Sequence, residues 1–148
     1  LAALTEFEQA QGLGIDASPQ ALDYAMRNAA ALGLADRARF SLGDWASGID
    51  GPFDLILCNP PYVEAGAELE PHVLQEPASA LFAGPDGLDD YRILAPHIAR
   101  LIAPGGCACI EIGHQQAEAV TAMLTAQGLA VSLRHDLGRR DRCLLATR

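Results

Sequence analysis

The chain has 148 residues, half of them hydrophobic and a fifth charged. That is enough for one domain burying about two-thirds of its unfolded surface, and too apolar for disorder. Nineteen acids against ten cations leave a net charge of −9, and all ten cations are arginine. A diffuse polyanion-binding surface needs clustered cations, and a P-loop, a Schiff base or a pyridoxal-phosphate site needs a lysine, so these classes are excluded.

Taken in chain order, Leu1 to Phe7 has apolar residues at helical spacing but begins without a capping residue. No secretory signal is expected of residues 1–11, which carry Glu6 and Glu8 and no basic start. Gly12 to Asp16 reads as a strand ending on an acid. Ser18 then caps a helix with Pro19 at its first position, running through Ala21 to Leu32 and stopped by Gly33. Ala38 to Leu42 is predicted as a strand closing at Gly43-Asp44-Trp45. Phe53 to Cys58 is the most apolar strand and runs into Asn59-Pro60-Pro61-Tyr62, where two prolines forbid both helix and central ladder. Residues 63–85 are predicted to be mostly irregular, a long loop of the kind tied to function.

The pattern then predicts a helix over Leu88 to Ala103, ended by Pro104-Gly105-Gly106, a strand over Cys107 to Ile112, and a helix over His114 to Gln127 stopped by Gly128. Two last strands, Ala130 to His135 and Arg142 to Thr147, follow without an intervening helix and must pair antiparallel. Cys107 and Cys109 have strand spacing, and with Cys58 and Cys143 they read as small buried residues of a reduced cytoplasmic protein. No metal site is expected from them or from the histidines at 72, 97, 114 and 135. No apolar run approaches the roughly 20 residues of a membrane helix. Strands alternating with helices imply an α/β domain with a mostly parallel sheet covered on both faces. Its reversed strand near the C-terminus resembles the class I S-adenosylmethionine-dependent methyltransferase (Rossmann-like) fold more than a dehydrogenase.

Ligands of open α/β sheets bind at the strands' carboxyl ends. Asp16 there is either a ribose-binding acid or a helix cap. A ribose-binding acid stands roughly 20 residues after a glycine-rich loop; counting back from Asp16 passes residue 1, so the first strand and its loop are expected to be missing from this chain. Asp44 and Trp45 are either a turn acid and a core-edge indole or contacts to an adenine. Asn59 to Tyr62 carries more. The Asn59 amide oxygen and the Pro60 carbonyl are fixed acceptors, the prolines remove competing donors, and Tyr62 offers a flat face. Such acceptors can hold both N–H bonds of an amide nitrogen and aim its lone pair at an electrophilic sulfonium methyl of S-adenosylmethionine.

Asn59-Pro60-Pro61-Tyr62 resembles the signature shared by adenine-N6, cytosine-N4 and glutamine-N5 methyltransferases. Together with Glu76-Pro77, Ala80-Leu81, Asp86-Gly87-Leu88-Asp89-Asp90-Tyr91-Arg92, Glu111-Ile112-Gly113 and Gly138-Arg139-Arg140-Asp141-Arg142, it is similar to the HemK/PrmC family. The resemblance implies methyl transfer from S-adenosylmethionine to N5 of the glutamine in the Gly-Gly-Gln motif of peptide chain release factors. It also implies a release factor as protein partner, with neither nucleic acid nor membrane contacted directly. By the same resemblance Asp16 binds the ribose hydroxyls, Asp44 and Trp45 contact adenine, Asn59 touches cofactor and glutamine, and Pro60, Pro61 and Tyr62 hold the glutamine. Residues 1–148 are then a catalytic domain truncated at its N-terminus, without the family's helical substrate-recognition domain. A ribosomal-protein glutamine methyltransferase, a DNA adenine methyltransferase and a non-catalytic binding fragment are the alternatives. Glu111 is left between anchor and substrate contact, the role of Glu76 is open, and the arginines from 139 to 142 are divided between an acceptor protein and the chain's own acids.

Overall fold

A computed structural model describes all 148 residues, which divide into two compact units, 1–49 and 50–148.

The first unit contains α1 (Ala2–Glu6), β1 (Gly12–Asp16), α2 (Pro19–Ala31) and β2 (Ala38–Leu42), with β1 and β2 parallel and paired from Gly12↔Ala38 to Asp16↔Leu42. Helix α2 starts as its sequence dictates: the Ser18 hydroxyl accepts the Ala21 N–H at 3.2 Å and Pro19 opens the helix, where a missing N–H costs nothing. Leu4, Ala29 and Leu34 form a small core, with Ala10, Ala38 and Phe40 packed on it. Arg37 closes α1, donating to the carbonyls of Leu4 at 2.8 Å and Ala10 at 2.9 Å; α1 itself has no side-chain cap at its start.

The second unit contains β3 (Phe53–Cys58), a 3-10 turn (Val73–Gln75), α3 (Ala78–Leu81), α4 (Asp89–Leu101), β4 (Ile102–Glu111), α5 (Ala117–Ala126), β5 (Ala130–His135) and β6 (Asp141–Thr147). Its sheet has the order β3-β4-β6-β5, with β3 parallel to β4 and β6 antiparallel to both its neighbours. Three strands therefore share one direction and β6 alone is reversed, as the missing crossover helix requires. Ala108, Ile110, Ile112, Leu144 and Ala146 are essentially inaccessible on the face covered by α4 and α5. The expectation of a sheet covered on both faces is corrected for this unit. Leu57, which pairs with Cys109 on the other face, is 62% exposed, and no helix of the unit lies over that face.

Two element ends also differ from expectation. Helix α4 stops at Leu101, and Ile102 already pairs with Phe53; Pro104, Gly105 and Gly106 then bulge out, with Gly105 at φ 76°, before the ladder resumes at Leu55↔Cys107. The bulge lets an apolar pair, Ile102-Ala103, be buried as strand rather than as helix end. Helix α5 begins only at Ala117. The 63–85 stretch is irregular apart from the 3-10 turn, α3 and one bridge between Val63 and Phe82. No helix is long and apolar enough to cross a membrane.

Candidate functional site

In the first unit the ends of β1 and β2 meet. The Asp16 carbonyl accepts the Gly43 N–H at 3.1 Å, which brings the segment Gly43-Asp44-Trp45 beside Asp16. The Asp16 carboxylate accepts the Ser18 N–H at 2.8 Å, so one of its oxygens orders the entry to α2. Trp45 is half-buried at φ 50°, in the left-handed region that a bulky side chain adopts only where its surroundings enforce it. Asp44 is exposed and its carbonyl accepts the Ser47 N–H.

In the second unit Asn59 is exposed and Pro60, the next residue, is buried. The chain thus leaves β3 by anchoring a proline ring while presenting an amide to solvent. Beside Asn59 opens a depression of about 340 Å³, bounded by Cys58, Cys109, Glu111 and Arg142 among others, at the lower end of the roughly 300–1,000 Å³ that small-molecule sites occupy. The Cys58 thiol is pushed up to about 12, by burial and then by the nearby Asp90 carboxylate. It stays protonated at neutral pH and offers no thiolate nucleophile.

Past Pro61 the loop is tied down. The Val63 N–H donates to the Leu81 carbonyl, the Ala83 N–H to the Val63 carbonyl and the Ala65 N–H to the Gly84 carbonyl. Half-buried Tyr62 accepts at its hydroxyl from Arg142 Nη1 at 3.3 Å. Arg142 also lies 3.8 Å from Glu111 and 4.0 Å from Asp136, while Arg139 and Arg140 are exposed on the β5–β6 turn. The arginine run is therefore divided: Arg142 belongs to the rim, and the other two face solvent. Glu111 acts as an anchor through its backbone, where its carbonyl accepts the Tyr91 hydroxyl at 2.9 Å. Tyr91 is 1% exposed, and burial first, then the neighbouring Tyr62, holds its hydroxyl protonated. Glu76 is exposed in the long loop.

One residue of this rim had no place in the sequence reading. Gln116 donates to the Tyr62 carbonyl at 2.9 Å and the Gly87 carbonyl at 3.1 Å, and accepts the Gly113 N–H at 3.0 Å. Its return to Gly113 spans three residues, as in a capping box, but without the Ser or Thr that gives such a box its sequence signal. Its reach to Tyr62 has none either.

A family model described as a methyltransferase domain matches residues 1–134. The chain belongs to the methyltransferase-domain family. It is 49% identical to the release factor glutamine methyltransferase of Rhodospirillum rubrum, over the whole of this chain and 47% of that protein. With its namesake from Caulobacter vibrioides it shares 47% identity over the whole chain and 53% of that protein. The methyltransferase-domain chain thus spans about half the length of these curated relatives. Among solved structures, a methyltransferase from Pyrococcus furiosus superposes with a TM-score of 0.71 at 16% identity, covering 98% of this chain and 66% of the other. A ribosomal protein L11 methylase from Lactobacillus delbrueckii subsp. bulgaricus gives 0.65 at 20%, covering 93% and 57%. At such identities the likeness is one of fold, and the fold is the class I methyltransferase α/β fold.

Proposed function

We propose that this chain is the catalytic domain of a cytoplasmic enzyme that methylates N5 of the glutamine in the Gly-Gly-Gln motif of class 1 release factors, with S-adenosylmethionine as donor. The observation that carries the reading is the pairing of an exposed Asn59 with a buried Pro60 at the end of an apolar strand. An acceptor amide is held out on a rigid base, followed by two residues that cannot donate. Relatives at 47–49% identity that bear the release factor name support the choice of acceptor.

The residues present fit the donor: Asp16 has a carboxylate oxygen for a ribose hydroxyl, and Asp44 with the half-buried indole of Trp45 suits the adenine. When bound, the donor supplies an electrophilic sulfonium methyl. The chain's own part is positional. The Asn59 side-chain oxygen and the Pro60 carbonyl accept the two N–H bonds of the glutamine amide, Pro61 keeps the turn rigid, and Tyr62 lies along the amide plane. Accepting both hydrogens draws the nitrogen lone pair out of conjugation and stabilises the positive charge that grows there during transfer.

The test is transfer of a labelled methyl group to a purified release factor by the protein at its full natural length. The same factor with its motif glutamine changed to alanine is the control. Label on the normal factor alone is expected, and Asn59→Ala should lower the rate by roughly 10²–10³-fold, the usual loss when one charge-stabilising contact is removed, with the fold intact. Near-normal transfer by Asn59→Ala overturns the mechanism, and label on both factors overturns the acceptor.

A further inference from the structure

The Asn59–Tyr62 turn is short of means to fix itself, because Pro60 and Pro61 have no N–H. Its orientation is set from outside by Gln116. Both Nε2 hydrogens of that half-buried side chain are used, on Tyr62 at 2.9 Å and Gly87 at 3.1 Å, and Oε1 accepts from Gly113 at 3.0 Å. Three stretches of backbone separated by 54, 29 and 3 positions from Gln116 converge on one amide. Only a primary amide offers two donors and an acceptor without charge. The backbone is cut to fit it. A Cβ on Gly113 would stand 2.8 Å from Oε1, and one on Gly87 would stand 2.8 Å from Nε2 and 2.4 Å from the Tyr62 carbonyl. Arg142 grips the other end of Tyr62 by donating to its hydroxyl, and the same Nη1 donates to the Ile112 carbonyl at 3.4 Å.

We propose that Gln116 is a positioning residue for methyl transfer. By holding the Tyr62 carbonyl, it sets the direction in which Asn59 and Pro60 present their acceptor oxygens, and it touches neither substrate nor donor. The inference rests on the methyl-transfer reading above and deepens it. Its signature is chemical as well as structural. In Gln116→Glu one carboxylate oxygen keeps the Gly113 bond, but the other faces two carbonyl oxygens. Ionised, it repels both; protonated, it donates to one and restores part of the grip. In Gln116→Met the volume is kept and all three bonds are lost at every pH.

Steady-state transfer to a purified release factor is measured between about pH 5.5 and 8 for wild type and both variants at full natural length, with circular dichroism for the fold and calorimetric affinity for S-adenosylhomocysteine. Displacing an acceptor by about 1 Å costs on the order of 10²-fold in rate. At neutral pH both variants should therefore lose about 10- to 100-fold in kcat while the affinity moves less than about twofold. Relative to wild type, Gln116→Glu should recover as the pH falls, and Gln116→Met should not. A kcat equal to wild type in either variant, parallel losses of kcat and affinity, or identical pH profiles for the two variants overturns the assignment. A wild-type protein that labels no release factor overturns the underlying reading instead, and an active wild type separates the two failures.

Discussion

Gly87→Ala tests whether the crowding around the Tyr62 carbonyl is real. Gly87 has φ 68°, and a methyl group there would sit 2.4 Å from that oxygen, about 1 Å inside ordinary contact at 3.4 Å. Two costs add. The left-handed backbone costs any residue with a Cβ about 1–2 kcal/mol. Moving the carbonyl by about 1 Å takes it out of reach of Gln116 and leaves a partly buried acceptor unpaired, at about 1–3 kcal/mol. Gly128→Ala is the internal control. It lies in the same unit, at φ 82°, with nothing within 4 Å of the added Cβ, so only the first cost applies. The expected loss is about 2–5 kcal/mol at Gly87 and about 1–2 kcal/mol at Gly128. With a urea slope of about 2 kcal/mol per molar, that places the midpoints about 1 M apart. Midpoints agreeing within about 0.3 M would refute the steric argument and leave Gly87 explained by backbone conformation alone.

Two further outcomes follow from ionisation. Arg92 donates to both oxygens of Asp86, at 3.1 and 2.6 Å, and with help from the Leu88 N–H holds that carboxyl below its ordinary 3.8. A carboxyl depressed in the folded state stabilises fully above its unfolded pKa and loses that contribution as pH falls through the folded value. Asp86→Asn should therefore lower the urea midpoint slightly at neutral pH and flatten its decline below about pH 4; an unchanged acid limb contradicts the pairing. Cys58, with its thiol pushed up to about 12, should remain unmodified when the native protein is treated with iodoacetamide near pH 8 and peptides are mapped. Labelling of Cys58 as fast as in urea-unfolded protein would contradict its raised thiol.

Elements whose ends carry a local signal were legible in the sequence. Strands β1, β2, β3 and β5 run over the predicted residues because an acid, a glycine, a proline pair or a glycine-stopped helix bounds them. Ser18 and Pro19 fixed the start of α2 for the same reason. Where tertiary pairing decides, the local signal misled. Ile102-Ala103 looks like the last turn of a helix, yet its burial against β3 wins, and Pro104-Gly105-Gly106 becomes a bulge rather than a terminator. His114 to Gln116 has helical composition, but Gln116 reaches back to Gly113, and α5 starts after it. The site divides the same way. Asn59 to Tyr62 announces itself because buried apolar strands have no folding reason to end so. The Gln116 and Arg142 contacts join residues 54 and 80 positions from Tyr62, and no periodicity encodes such a distance.

The reversal of β6 has a consequence for how this rim can vary. A strand that arrives by a crossover helix delivers only its last residues to the rim, and any change there is felt by the helix behind it. Strand β6 arrives instead from a five-residue turn, 136–140, and delivers its opening residues, so Arg142 reaches Tyr62 from the second position of the strand. The tip of that turn is fully solvated at Leu137, and no helix hangs from it. A change of length or charge at this corner therefore costs the fold little, and it reaches the pocket through Arg142, which lines it together with Asn59.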